Sequence, residues 1–242
     1  MTFVTFAPMS LPFFYEENIP LNSNSSFTLS EETSKHCAQV LRMKAGEQLQ
    51  LTDGNGAIIT AAIVQPDKRS TTVQNITAIQ VPKPVRQITI AISLLKNASR
   101  FEWFLEKATE IGITQIIPLL CTRTERQHFR HDRMENIVIS AMLQSQQAWL
   151  PVLHEPKAFD KVIVEADQSS KLIAHCLETS KQGIPQVTLT NNILMLIGPE
   201  GDFTPEEIND CLSSGFTPVT LGNTRLRTET AGITAAVLLA NT

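Results

Sequence analysis

The chain has 242 residues, of which 42% are hydrophobic, and a formal net charge of −4. This length allows one large domain or two small ones with a sizeable core. The acidic balance excludes a generally basic nucleic-acid-binding surface, so any such contact must come from a local patch. No basic leader precedes the first apolar residues, and the apolar run AGITAAVLLA is too short to span a bilayer. We therefore expect no signal peptide and no membrane association.

The four cysteines are widely spaced: Cys37, Cys121, Cys176 and Cys211. They form no CxxC pair, and no histidine lies at zinc-binding spacing. This pattern favours reduced thiols in a cytoplasmic protein over a metal site. We predict no metal.

Residues 1–80 contain short strand patterns separated by polar turns. QLQLTDGNGAIITAAIV alternates around Asp53-Gly54-Asn55-Gly56, which is a strong hairpin signal. The stretch from His36 to Lys44 is predicted to be helical or turn-like. These features indicate a small all-β domain, and such units are usually barrels or sandwiches.

Val81-Pro82-Lys83-Pro84 is the predicted linker, because two prolines favour extended chain. Beyond it, QITIAISLL is a predicted strand, residues 100–111 a helix ended by Gly112, and TQIIPLL the next strand. This βαβ pattern predicts an α/β domain with a parallel sheet over residues 84–242.

The stretch from Cys121 to Arg133 is the most basic in the chain and includes Arg123 and Arg126. It is either surface charge or a patch that binds RNA phosphates. A helix is predicted from Arg133 to Trp149, ended by Pro151.

Farther along, residues 159–165 form a predicted short helix and KLIAHCL a predicted strand. His175 lies within that apolar run, so we interpret it as a core residue rather than a catalyst.

Two later segments share one plan of strand, polar turn and helix start. ILMLI, residues 193–197, is typical of a strand buried on both faces, and Gly198 and Gly201 allow a sharp turn and close approach of a ligand. Thr204, Pro205 and Glu207 match a capping box. Near the C-terminus, Thr228 or Thr230 is predicted to cap the helix GITAAVLLA.

Both loops should lie at the carboxyl ends of parallel strands, where ligands of open α/β sheets bind. The glycines could instead serve turn geometry alone. The loops carry more polar residues than simple connections need, which favours a functional role: Glu200, Arg225, Arg227, Thr228, Glu229 and Thr230.

IGPEGDF followed by LGNTRLRTETAG resembles the two signature segments of the RsmE family. Its members are SPOUT-class enzymes that methylate N3 of a uridine in 16S ribosomal RNA with S-adenosylmethionine. The resemblance implies a PUA-like β-barrel, a parallel-sheet domain with a C-terminal trefoil knot, and a cytoplasmic homodimer that acts on the assembled small subunit. H-x-x-x-V-L-R-x-K-x-G, residues 36–46, resembles the start of that PUA-like domain.

The resemblance also implies a set of site residues. The cofactor would be held by Leu196, Ile197, Gly198, Pro199, Glu200, Gly201, Leu221, Gly222, Leu226, Thr228, Thr230 and Ala231. The RNA would be contacted by Arg42, Lys44, Lys96, Arg100, Arg123 and Arg126. Arg227 would stabilise the charge that develops on uracil, and Glu229 would orient Arg227 or accept a proton; alternatively the two form a structural ion pair.

The chain departs from the family pattern at two places. Leu143-Gln144-Ser145-Gln146-Gln147 stands where E-Q-S-x-R is usual, so no role is carried over for the missing Glu and Arg. Asp202 stands where a second glycine is more usual. Two alternatives remain: an inactive RNA-binding protein with the same fold, and a SPOUT methyltransferase for another RNA.

Overall fold

The structure is a computed structural model that describes residues 11–125, 128–178 and 180–242. The chain divides into two compact units. One unit holds the chain up to Lys83 together with Gln146–Trp149, and the other holds Pro84–Ser145 and Leu150–Thr242. The break lies in the proline-containing linker.

The first unit is built on one five-stranded sheet. Its elements are β1 (Phe13–Tyr15), β2 (Ser26–Thr28), α1 (Glu31–Lys35) followed by a π-helical turn (His36–Val40), β3 (Gln48–Thr52), β4 (Ala57–Gln65) and β5 (Thr72–Gln80). The strand order is β1-β3-β4-β5-β2, and every pair is antiparallel except β1–β3. Among the described residues this sheet is an open path of strands.

The predicted hairpin between β3 and β4 is confirmed. The Asp53 carboxylate accepts hydrogen bonds from the N–H groups of Asn55 at 2.7 Å and Ala57 at 3.1 Å, which fixes the turn. The alternation of the sequence places Leu49, Leu51 and Ile59 in the core of this unit, without exposed surface.

The second unit is an α/β domain with an eight-stranded, wholly parallel sheet. Its elements are β6 (Gln87–Ser93), α2 (Ala98–Ile111), β7 (Gln115–Leu120), α3 (His131–Gln144), β8 (Val152–Leu153), β9 (Lys157–Ala158), α4 (Phe159–Glu165), β10 (Ser170–Ala174), β11 (Gln182–Gly183), a 3-10 turn (Ile184–Gln186), β12 (Asn192–Ile197), α5 (Pro205–Ser213), β13 (Thr217–Thr220) and α6 (Thr228–Ala240). The strand order is β11-β13-β10-β12-β6-β7-β8, with β9 paired to β7.

Helices cover both faces of this sheet, as expected for parallel strands. On β12, Ile193 and Met195 belong to one core with α2, α3 and α6, whereas Leu194 and Leu196 belong to a second core with α4 and α5. The continuous apolar run of β12 is therefore explained by burial on both sides. The predicted end of α2 is also confirmed, because Gly112 adopts a left-handed φ of +93° there.

Strand β13 links the two helical layers. It lies between β10 and β11 and joins α5, which packs on one face, to α6, which packs on the other. The trefoil knot that the family resemblance implies stays a prediction.

The prediction that α3 continues to Trp149 is wrong. The helix ends at Gln144, and Gln146 takes a left-handed φ of +55° that breaks the helical path. The next residues belong to the first unit, where the indole N–H of Trp149 donates to the carbonyl of Val81 at 3.2 Å. Local periodicity did not reveal this return, because it depends on contacts that are distant in sequence.

Candidate active site

A cavity of about 670 Å³ opens at the carboxyl ends of three neighbouring strands, β10, β12 and β13. This is the position at which open α/β sheets bind ligands. Nine of the predicted cofactor-binding residues line it: Ile197, Gly198, Pro199, Glu200, Leu221, Gly222, Leu226, Thr228 and Ala231. Leu196, Gly201 and Thr230 are not among its lining residues.

The loop after β12 owes its shape to Phe203. A Cβ atom on Gly198 would lie 3.0 Å from the Phe203 ring and 3.2 Å from its backbone nitrogen. Phe203 is buried in the core under α4 and α5. A side chain at this position would therefore require Phe203 to shift by a few tenths of an ångström, so the protein's own packing favours glycine here.

Gly201 faces Arg123 rather than the cavity. A Cβ atom on Gly201 would lie 3.3 Å from Arg123 Cδ, and the Arg123 guanidinium donates to the Gly201 carbonyl at 2.7 Å. The same guanidinium nitrogen of Arg123 lies 3.4 Å from the Phe203 carbonyl oxygen. In this conformation Arg123 ties the loop after β7 to the loop after β12.

Helix α5 begins as predicted. The Thr204 hydroxyl accepts from the Glu207 N–H at 3.2 Å, and the Glu207 carboxylate accepts from the Thr204 N–H at 2.8 Å. The second oxygen of Glu207 accepts from the Thr122 N–H at 2.8 Å. The buried capping residue therefore also fixes the start of the loop after β7.

The predicted cap of α6 is wrong. The N-cap residue is Arg227, which makes no side-chain capping bond, and Thr228 is the first helical residue. The first turn of α6 therefore brings Thr228 and Ala231 to the cavity.

Arg227 and Glu229 lie in different environments. Arg227 is exposed and lines the cavity, and among the described residues it has no ion-pair partner within 4.0 Å. Glu229 is buried, does not line the cavity, and has one oxygen 3.6 Å from the Arg100 guanidinium. The alternative of a structural ion pair between Arg227 and Glu229 is therefore wrong, since the partner of Glu229 is Arg100, whereas a role of Glu229 in orienting Arg227 or accepting a proton stays a prediction.

Lys96 connects two loops of the same sheet edge. Its backbone N–H donates to the Glu200 carboxylate at 3.1 Å, and its ammonium lies 2.8 Å from Glu125. The hydrogen bond with Glu125 raises the pKa of Lys96 above its ordinary value. Glu200 thus holds the loop after β6 as well as lining the cavity.

His175 is the site residue that the sequence interpretation missed. Strand β10 ends at Ala174, so His175 lies just beyond it, buried and lining the cavity. Neither ring nitrogen has a hydrogen-bond partner among the described residues. Burial lowers its pKa, Lys181 acts in the same direction and Asp202 opposes them. The apolar residues on both sides of His175 made the strand look longer than it is.

The remaining RNA-contact predictions lie on other parts of the chain. Arg42 and Lys44 are exposed in the first unit, and Arg42 has a left-handed φ of +56°. Arg100 is partly exposed on α2. Arg126 lies outside the described residues.

Comparison with known proteins decides the family. A family model for an RNA methyltransferase domain matches residues 81–240, and one for an RNA methyltransferase PUA domain matches residues 29–74. Ribosomal RNA small subunit methyltransferase E (RsmE) from a Synechocystis strain is 31% identical over 218 residues, which is 86% of this chain and 70% of the relative. The chain belongs to the RsmE family.

Two solved structures extend the likeness. A Porphyromonas gingivalis protein described as a probable rRNA-methyltransferase is 40% identical, with a TM-score of 0.85, covering 93% of this chain and 95% of that chain. RsmE from Neisseria gonorrhoeae, solved bound to S-adenosyl methionine, is 27% identical with a TM-score of 0.85 and the same coverage. The predicted α/β fold with a PUA-like first domain is thereby confirmed for this RsmE family member.

Within the described part of the chain, no group of three or more His, Cys, Asp or Glu side chains is arranged to hold a metal ion. None of the helices there is both long and apolar enough to cross a membrane.

Proposed function

We propose that this RsmE family member transfers a methyl group from S-adenosylmethionine to N3 of a uridine in 16S ribosomal RNA of the small subunit. The observation that carries the proposal is the cavity at the strand ends, which is lined by Arg227, a residue with no ion-pair partner in the described part of the chain. Family membership supports the same reaction.

The cavity is large enough for S-adenosylmethionine. Its volume of about 670 Å³ lies within the range of about 300–1,000 Å³ that is usual for small-molecule sites. At Gly222, among the described residues other than the glycine and its two chain neighbours, no atom lies within 4 Å of the place a Cβ would occupy, so the backbone there is open to a ligand. Residues 197–200 and 221–228 would hold the cofactor, largely through backbone groups.

The chemistry assigns a task to Arg227. S-adenosylmethionine, when bound, supplies a methyl group on a sulfonium centre. N3 of uracil must lose its proton, and negative charge spreads onto the flanking carbonyl oxygens. A preorganised cation stabilises that charge most effectively where water is excluded. Arg227 is suited to this role because no carboxylate of the described residues forms an ion pair with it.

The proposal includes partners and a place of action. The RNA would be held by Arg42 and Lys44 of the first unit and by Lys96 and Arg100 of the second, since guanidinium and ammonium groups bind phosphate oxygens. We further propose that the protein works as a homodimer in the cytoplasm, where small subunits are assembled.

Methylation of purified small subunits that lack the modification tests the proposal. The wild-type protein and S-adenosylmethionine should methylate one uridine of 16S RNA at N3, located by mass spectrometry of nuclease fragments. Particles and naked RNA are compared, and the assembled particle should be the better substrate. Cofactor binding without methyl transfer would indicate an inactive binder, and a methylated ribose or transfer RNA would indicate a different substrate.

A further inference from the structure

The ring of His175 is a buried polar group that lacks a partner. Only 7% of the residue is exposed, and within the part of the chain that the structure describes neither Nδ1 nor Nε2 has a hydrogen-bond partner. Leaving such a group unsatisfied is costly, so native proteins usually pair it with protein, water or a ligand. Because His175 lines the cavity, a ligand there could satisfy it.

The backbone around His175 is fixed from two sides. The Lys181 ammonium donates to the carbonyls of His175 at 2.7 Å and Leu177 at 2.8 Å. The Asp202 carboxylate accepts from the Cys176 N–H at 2.8 Å. On the side of residues 175–177 these contacts involve backbone groups only. They fix the position of His175 and leave both nitrogens of its ring available to a ligand.

The surroundings of the ring indicate which part of a ligand it meets. His175 lines the cavity with apolar Ala174, Ile197 and Val219. Charged Lys181 and Asp202 line it as well, and their side chains are already bonded to backbone groups of residues 175–177. Arg225 and Arg227, which line the same cavity, are exposed on the loop before α6. A neutral imidazole offers one donor and one acceptor. A neutral ring beside apolar side chains suits an uncharged heteroaromatic base, whereas a charged amino acid group suits the arginines.

We propose that His175 is a binding residue for the adenosine half of the cofactor, hydrogen-bonding the nucleoside through a ring nitrogen. The proposal rests on the function proposed above and deepens it by naming the half of the cofactor that meets His175. Burial keeps the pKa of His175 below its ordinary value, which is consistent with a neutral ring.

The experiment compares three ligands and three variants by calorimetry. The ligands are S-adenosylmethionine, S-adenosylhomocysteine and 5′-methylthioadenosine, which keeps the nucleoside but lacks the amino acid group. The variants are His175→Leu, His175→Gln, which keeps a donor and an acceptor, and His154→Leu. His154 is the matched control because it is a half-buried histidine whose ring is already paired, with Gln115 at 3.0 Å, and it does not line the cavity.

His175→Leu should weaken all three ligands by a similar factor of about 2- to 12-fold, as expected for one lost hydrogen bond. His175→Gln should recover part of this loss, and His154→Leu should bind like the wild type. The ligand-free His175→Leu protein should melt no lower than the wild type, because leucine removes an unsatisfied polar group from a buried position. A purely structural role predicts the opposite change in melting temperature.

Unchanged affinity in His175→Leu would overturn the proposal. So would a loss confined to the two ligands that carry the amino acid group, since that would place His175 against that group and not against the nucleoside. A lower melting temperature without recovery by glutamine would assign the ring a structural role instead. Wild-type protein that binds 5′-methylthioadenosine but not S-adenosylmethionine would sink the proposed function and leave the His175 comparison intact; failure to bind any of the three would overturn both.

Discussion

The buried carboxylate of Glu229 on α6 lies 3.6 Å from the guanidinium of Arg100 on α2. The contact links two helices that pack on the same face of the sheet. One oxygen of Glu229 has no hydrogen-bond partner among the residues that the structure describes, and 40% of the Arg100 side chain is exposed. Arg100 and Glu229, two residues of the predicted site, therefore form an ion pair with each other, and Arg227 lines the cavity without taking part in it.

Arg227→Ala should reduce turnover per cofactor-loaded enzyme by about 10²- to 10³-fold, the usual loss when one preorganised donor is removed. Cofactor affinity and melting temperature should change little, because Arg227 has no ion-pair partner among the described residues. Single-turnover methylation of small subunits measures the rate. Arg69→Ala, which removes an exposed arginine from the first unit, is the control. A normal rate per loaded site in Arg227→Ala would end the assignment.

Glu229 should couple energetically to Arg100 and not to Arg227. Double-mutant cycles with Glu229→Gln, read by urea unfolding, should give a coupling of about 0.2–1 kcal/mol with Arg100→Ala, which is modest because Arg100 is partly solvated. The cycle with Arg227→Ala should give none. Coupling to Arg227 in place of Arg100 would contradict the ion pair seen here.

The salt dependence of RNA affinity should show that Arg42 and Lys44 contact phosphate and that Arg123 does not. For each phosphate contact, RNA affinity falls by about 0.7–0.9 log units per log unit of salt. Replacing Arg42 and Lys44 with alanine should flatten this slope. Arg123→Ala should instead lower the melting temperature, since its guanidinium holds the Gly201 carbonyl. A flattened slope with normal stability in Arg123→Ala would show that this arginine contacts phosphate.

The histidine pKa shifts predict acid sensitivity. Burial lowers the pKa of His175 below its ordinary 6.5, so near that pH the unfolded chain binds more protons than the folded chain. The contribution of His175 to the free energy of unfolding is therefore fully present above about pH 6.5 and is lost as the pH falls through the folded-state pKa. Urea unfolding between about pH 7 and pH 5 should show a smaller loss in His175→Leu than in the wild type.

The pKa of His154 is also lowered, by burial and by Lys157. In His175→Leu, His154 should still contribute to the pH dependence of the free energy of unfolding. His154→Leu should therefore reduce, independently of His175→Leu, the loss of unfolding free energy between about pH 7 and pH 5. An unchanged slope in His175→Leu would mean that the ring gains a proton as easily in the folded chain as in the unfolded one.

Gly232→Ala should destabilise the second unit by about 1–3 kcal/mol, the usual cost of overpacking a core. A Cβ atom there would lie 2.7 Å from the Phe104 ring and 2.8 Å from Ile92 Cδ1. Thermal unfolding measures the loss, and Val237→Ala at an exposed position of α6 is the control. Equal melting temperatures for the two variants would mean that Phe104 can move aside.

The sequence alone determined most of the local structure. The alternation around Asp53 predicted the β3–β4 hairpin, Thr204 and Glu207 predicted the start of α5, and Gly112 predicted the end of α2. Each of these features depends on residues that are close in the chain. The paired segments at 197–203 and 221–232 also led to the correct family.

Only the tertiary structure decided which distant side chains meet. The partner of Glu229 is Arg100 because α6 returns to pack on α2, and Arg123 reaches Gly201 because the loops after β7 and β12 converge at one sheet edge. His175 lines the cavity because β10 lies between β12 and β13 and ends one residue before it. Periodicity reports burial along a single element, whereas these contacts follow from the order of strands in the sheet, which no local pattern encodes.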